Sequence, residues 1–104
     1  MPLFAAISLG ACAGGLVREP DAKDATWAAT RWPGTSVSDL KGGKKVFVSR
    51  CSSCHGLPEP SVKTPDQWAS VIDEMAPRAK LSSGDRDAVL RYLSAESERA
   101  RQGG

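Results

Sequence analysis

Two thiols and an imidazole lie within five consecutive residues, at Cys51, Cys54 and His55. Such a group could bind a metal, form a redox disulfide, or attach a haem through two thioethers with the adjacent imidazole on the iron. A structural zinc site needs four Cys or His ligands, and His55 is the only histidine of the chain. A thioredoxin-like pair follows a strand in a βαβ fold, which the sequence does not predict, and a structural disulfide leaves the histidine unexplained. The pattern therefore predicts one covalently attached haem c, with His55 as an iron ligand.

The second axial position of the iron has one candidate thioether, Met75. The other methionine, Met1, falls in a predicted export signal. Met75 continues an apolar helical stripe that includes Trp68, so core packing is the alternative role for its side chain. Its position just before Pro77, at a predicted helix end, favours iron ligation because a side chain there can face the ring. A thioether ligand would raise the reduction potential.

The elements that must position these residues are helices, and the sequence from Ser36 onwards contains no convincing strand. A first helix is predicted to begin after a cap at Ser36 or Ser38, and its apolar positions recur three and four residues apart on one face. Glycine costs about 1 kcal/mol against alanine inside a helix. A glycine on this buried face therefore indicates that another segment crosses very closely. The positions on that face are Leu40, Gly43, Phe47 and Cys51.

Two further helices complete the prediction. The second begins with a capping box at Thr64 with proline at the first helical position, and Pro77 ends it or lies just past its end. The third begins near Ser82, and its polar C-terminal end is expected to fray. Residues 56–63 carry two prolines and are predicted to form a loop.

The chain resembles the class I cytochromes c over roughly residues 36–97. That family carries a glycine eight residues, and an aromatic residue four residues, before the first haem cysteine; Gly43 and Phe47 occupy those positions. The resemblance implies a small all-α fold with three main helices around one haem, in which the first and last helices cross at the glycine. It also implies that Tyr92 and Leu93 form the partner segment of the last helix, and that Trp68 lines the haem pocket. Short bacterial monohaem cytochromes of similar pattern use a methionine at the position of Met75.

The first 36 residues are predicted to form an export signal followed by an arm. Residues 1–11 form a predicted signal peptide, and the residues that end at Cys12 resemble the box at which bacterial lipoproteins are cleaved and acylated. A cleaved signal without lipid and a structural N-terminus are the alternatives. Residues 12–36 are predicted to be a tether, although Trp27 and Trp32 favour packing of this arm on the domain. The cytochrome domain is predicted to span residues 37–104.

The charge of the chain limits its partners. Fourteen basic and twelve acidic residues give a net charge of +2, without the basic stripe of a nucleic-acid-binding protein. Lys41, Lys44, Lys45 and Arg50 lie close together in sequence. They form either a solvated helix face or a weak docking patch for an acidic redox partner.

The residues favour a single-electron carrier that is not an enzyme. The expected partners are a donor dehydrogenase and an acceptor oxidase or cytochrome in the bacterial periplasm, with membrane contact through Cys12. The alternative is the electron-accepting subunit of a periplasmic sulfite or amine dehydrogenase. A third role, gas binding or peroxide chemistry at an open iron site, is disfavoured because the sequence contains no second histidine. Arg78, Lys80 and Trp68 are candidate partners of the haem propionates.

Overall fold

A computed structural model describes residues 17–51 and 58–103 of the chain. Within these residues there are four α-helices, one short 3-10 helix and no strand, so the expected all-α class is confirmed. None of the described helices is long and apolar enough to cross a membrane. The helices are α1 (Ala22–Arg31), α2 (Val37–Arg50), α3 (Pro65–Met75) and α4 (Ser83–Arg101), and the 3-10 helix is Pro60–Val62.

Helix α1 lies in the arm and was not predicted. Its N-terminus is closed by a capping box in which Asp21 and Asp24 bond each other's backbone N–H groups. Its two buried residues are Asp24 and Ala28, so a charged residue occupies part of the side that packs on the domain. The arm is therefore folded from residue 17 onwards and does not act there as a free tether.

The two tryptophans of the arm pack, as the sequence favoured. Trp27 and Trp32 meet edge to face, with ring centroids 6.3 Å apart. Both rings cover a small apolar cluster formed by Ala28, Leu40 and Ala95. This cluster joins α1 to α2 and α4.

Helices α2 and α3 begin at the predicted caps. The Ser36 hydroxyl accepts the N–H of Asp39, and the Thr64 hydroxyl accepts the N–H of Gln67. Both caps are reciprocal boxes, and Pro65 stands at the first position of α3. Each box satisfies N–H groups that the helix itself leaves without partners.

Helix α4 is the central element, against which α1, α2, α3 and the 3-10 helix all pack. It begins after the predicted cap Ser82 and extends to Arg101. The expected fraying of its C-terminal end is wrong. Glu96 and Ser97 are buried there, and Arg99 is held by ion pairs to the arm. The larger apolar core contains Phe47, Trp68, Ile72, Val89, Leu90, Tyr92 and Leu93.

Candidate haem site

Helices α2 and α4 cross at Gly43, as the resemblance to class I cytochromes c implies; the position of the glycine alone predicted only a close crossing by some other segment. A Cβ atom added to Gly43 would overlap the backbone carbonyl of Ala88 and would lie 2.7 Å from the Cβ of Tyr92. One turn further along α2, the ring of Phe47 packs on that of Tyr92 with centroids 6.0 Å apart. Only a residue without a side chain permits this approach of the two backbones.

Cys51 lies at the C-terminal end of α2, where its N–H donates to the carbonyl of Phe47. It is half-buried against the larger core. Burial raises the pKa of the Cys51 thiol. Reactive redox cysteines have lowered pKa values and often lie at helix N-termini. The environment of Cys51 therefore disfavours the thioredoxin-like interpretation. Cys54 and His55, and also Cys12, lie outside the described residues.

Met75 is the last residue of α3, and its side chain is 41% exposed. The buried stripe of α3 consists of Trp68 and Ile72, one turn apart. Met75 thus does not share the burial of that stripe, which weakens the alternative that it is a core residue. Its thioether is accessible at the end of the helix.

A hydrogen bond joins the C-terminal end of α2 to the turn that follows α3. The Arg50 Nη1 atom donates to the carbonyl of Ala79 at 3.0 Å, and the N–H of Ala79 donates to the carbonyl of Met75 at 2.9 Å. Arg50 immediately precedes Cys51 in the chain. The fold therefore brings the neighbourhoods of Cys51 and Met75, 24 residues apart in sequence, to one end of the helical assembly.

The turn after α3 is fixed by its own backbone. The N–H of Leu81 donates to the carbonyl of Ala76, and the N–H of Lys80 donates to that of Pro77. Lys80 adopts a φ of 58°, the left-handed conformation usual at such a helix end. This Schellman turn ends the helical segment that carries Met75 and directs the chain into α4.

A planar apolar cofactor at this end of the fold would have to contact both α2 and α3, whose side chains Phe47, Trp68 and Ile72 share one apolar core. Helices α2 and α3 both pack against α4, yet their backbones do not come into contact with each other. A flat group between α2 and α3 could therefore contact both helices. If that group were haem c, the Cys51 thiol at the end of α2 could bond a vinyl group of the haem. The Met75 thioether at the end of α3 could bind the iron.

The indole of Trp68 is part of the larger apolar core. Its Nε1–H donates to the carbonyl of Pro60 at 2.8 Å, and the ring is buried. Because this is the only N–H of the ring, Trp68 is not available as a propionate donor in this arrangement. Arg78 and Lys80 are exposed in the turn that follows Met75 and stay candidates for that role.

A charged network of the arm was missed by the sequence analysis. The Arg18 guanidinium bonds Glu96 at 2.7 Å and Asp24 at 3.1 Å, and Arg99 bonds Asp21 at 2.8 Å and Asp24 at 3.0 Å. We call these five residues the arm cluster. The signal that could have revealed it is the acidic capping box at the start of α1 together with the acidic and basic pair three residues apart on α4.

Two lysines of α2 are paired within the chain. The Glu19 carboxylate lies 2.6 Å from the Lys44 ammonium and 3.7 Å from that of Lys41. A carboxylate of the arm therefore lies beside the basic residues of α2 and neutralises part of their charge.

Comparison of the chain with protein-family models, with curated proteins and with solved structures finds no match.

Proposed function

We propose that this protein is a single-electron carrier with one haem c, bonded covalently to Cys51 and Cys54 and ligated by His55 and Met75. The observation that supports it best is the hydrogen bond from Arg50, the last residue of α2, to Ala79 in the turn that follows α3. Arg50 directly precedes Cys51, and the N–H of Ala79 donates to the carbonyl of Met75, so this contact links the segments that carry these two residues. The close crossing at Gly43, which the resemblance to class I cytochromes c implies, supports it independently.

When bound, the haem supplies an iron that alternates between the ferric and ferrous states. The residues of the chain have other tasks. Phe47, Leu93 and Trp68 are buried and would keep water from the ring, which favours the less charged, reduced state. The bond from Arg50 to Ala79 would hold the end of α3 so that Met75 stays in place in both oxidation states.

The protein is proposed to work in the bacterial periplasm, attached to a membrane by acyl chains on Cys12. Its partners would be a dehydrogenase that donates electrons and an oxidase or another cytochrome that accepts them. The apolar run before Cys12 and the small residues that precede this cysteine support the proposal.

The ligand assignment is tested with Met75→Ala and Met75→Leu in the holoprotein. Both variants should lose the far-red methionine–iron band of the oxidised spectrum and lower the reduction potential, because the thioether stabilises ferrous iron. The reduced variants should also bind carbon monoxide, which the wild type should resist. Val62→Ala, which truncates another exposed apolar side chain, is the matched control and should leave all three readouts unchanged.

An unchanged band and potential in Met75→Ala would refute the methionine ligand. The attachment itself is tested by the intact mass of protein matured in a periplasm competent for c-type haem attachment. A mass without the haem would overturn the electron-carrier proposal as a whole.

A further inference from the structure

Helix α2 presents a basic face on the side away from its crossing with α4. Lys44 and Lys45 follow Lys41 by three and four residues, so both lie next to Lys41 on the helix surface. Gly43 and Phe47 occupy the opposite, buried side of the same helix. We call the three lysines the basic face.

The basic face carries a net positive charge. Its three lysines have one described acidic partner, Glu19, which pairs with Lys44 and Lys41. Three positive charges and one negative charge leave a local net charge of +2 where the arm meets α2.

The arm is fixed to the domain directly beside the basic face. Val17 packs against the larger core, and the Tyr92 hydroxyl donates to the carbonyl of Arg18 at 2.6 Å. The next residue, Glu19, bonds Lys44. The first described residues, 17–19, are therefore held on the domain next to the lysines.

Only four residues separate Cys12 from Val17. A fully extended chain advances at most about 3.6 Å per residue, so Val17 can lie no further than about 18 Å from Cys12. An acyl anchor at Cys12 would consequently hold this side of the domain at the lipid surface, whatever path the intervening residues take.

We propose that the basic face lies against an anionic phospholipid bilayer when Cys12 is acylated. The proposal rests on the proposed acylation of Cys12 and does not depend on the haem. The acyl chains would supply the apolar part of the attachment, and the lysines would orient the domain by attraction to lipid phosphates. The domain would then have one fixed side towards the membrane and would not rotate freely on a long tether.

The orientation can be measured by lysine footprinting of the full-length acylated holoprotein. The protein is bound to vesicles of phosphatidylethanolamine and phosphatidylglycerol and treated with a water-soluble amine-reactive reagent, and the rate at each lysine is read by mass spectrometry. The reference is Cys12→Ala with the same vesicles. We expect modification of Lys41 and Lys45 to slow several-fold in the acylated protein, whereas Lys63 and Lys80, which lie outside the basic face, keep their rates.

Equal rates at all four lysines in the two proteins would overturn the proposal. Slow modification of Lys41 and Lys45 without vesicles would also overturn it, because a second copy of the chain would then cover the face. An intact mass without acyl chains on Cys12 would remove the anchor and refute this inference. The same mass spectrum reports the haem separately, so the electron-carrier proposal would stand or fall by itself.

Discussion

At the scale of single residues, Gly43 is the described glycine at which an added side chain would clash most severely with its surroundings. Its neighbour Gly42 lies in the same helix with nothing within 4 Å of an added Cβ, whereas a Cβ on Gly43 would enter the backbone of α4. The helix tolerates two poor helix formers in succession. Only one of them is explained by the packing.

The two glycines allow a matched test of this crossing. Gly43→Ala should destabilise the protein by about 1–3 kcal/mol or more, because α2 and α4 must move apart to make room. Gly42→Ala should stabilise it by about 0.5–1 kcal/mol, since alanine restricts the unfolded chain and favours the helix. Denaturant titration of the two variants beside the wild type measures both effects. Equal effects of the two substitutions would contradict the close crossing.

At the scale of elements, the arm cluster attaches α1 to the last turns of α4. Asp24 and Glu96 are both buried, and Arg18 bonds both carboxylates. Burial raises the pKa of Glu96 to about 7, and the adjacent carboxyl of Asp24 acts in the same direction, against the opposing effect of Arg18. The Glu96 Oε2 atom accepts no hydrogen bond from the described residues. A proton on Glu96 therefore relieves the cluster of a poorly satisfied charge.

The raised pKa of Glu96 makes the docking of the arm depend on pH. An unfolded glutamate has a pKa near 4.5, so between about 4.5 and about 7 the folded protein retains a proton that the unfolded chain has lost. Stability should accordingly fall as the pH rises through this window and then level off. Glu96→Gln, which keeps the shape of the side chain without its charge, should remove most of this decline. Amide hydrogen exchange of α1 and urea unfolding from pH 4.5 to 8 would measure it.

Asp21 makes the stability of the arm cluster depend on pH in the acidic range as well. The hydrogen bond from Arg99, followed by that from the N–H of Asp24, lowers the pKa of Asp21 to about 2. Its contribution to stability is present above the ordinary value of 3.8 and is lost as the pH falls towards 2.

If α1 is equally protected from exchange at pH 5 and pH 8 in the wild type, the assignment of the pH dependence to Glu96 is wrong.

At the scale of the whole molecule, α4 connects helices that otherwise have little contact. Helices α2 and α3 both pack on it and contribute side chains to one apolar core, but their backbones do not approach each other closely. A chain of 104 residues buries limited apolar surface, and small domains often need a covalent or cofactor contribution to stability. The proposed haem would supply the contact that these two helices lack.

Removal of the haem should therefore cost the fold much of its stability. The variant Cys51→Ala/Cys54→Ala, which cannot form the thioethers, should unfold at least about 10 °C below the holoprotein, given 4–8 °C per kcal/mol for a domain of this size. The expected loss of contact is greatest for α3, which should exchange its amide hydrogens faster than α1. Thermal unfolding followed by circular dichroism and hydrogen exchange tests both points. Equal melting temperatures would contradict a role of the haem in the core.

The sequence determined the local features of the fold. Serine and threonine caps marked the starts of α2, α3 and α4, because a capping side chain satisfies N–H groups within three residues. The spacing of apolar residues predicted the buried side of α2, and the unfavourable glycine on that side indicated a close crossing, for which the resemblance to class I cytochromes c implied Tyr92 as the partner. The Cys-x-x-Cys-His pattern predicts its chemistry from five adjacent residues, and that prediction does not depend on distant parts of the chain.

The tertiary structure alone decided what the arm does and how the helix ends meet. Helix α1 has a charged residue, Asp24, on its buried side, and its position depends on ion pairs between the arm and Glu96 and Arg99, which lie 75 to 78 residues away from their partners in sequence. The extension of α4 to Arg101 depends on the same pairs, so a polar C-terminal end that looked free is in fact held. Likewise, no local signal links Arg50 to Ala79. Interactions between residues far apart in sequence leave no periodic trace in it, and they become visible only when the folded chain brings the partners together.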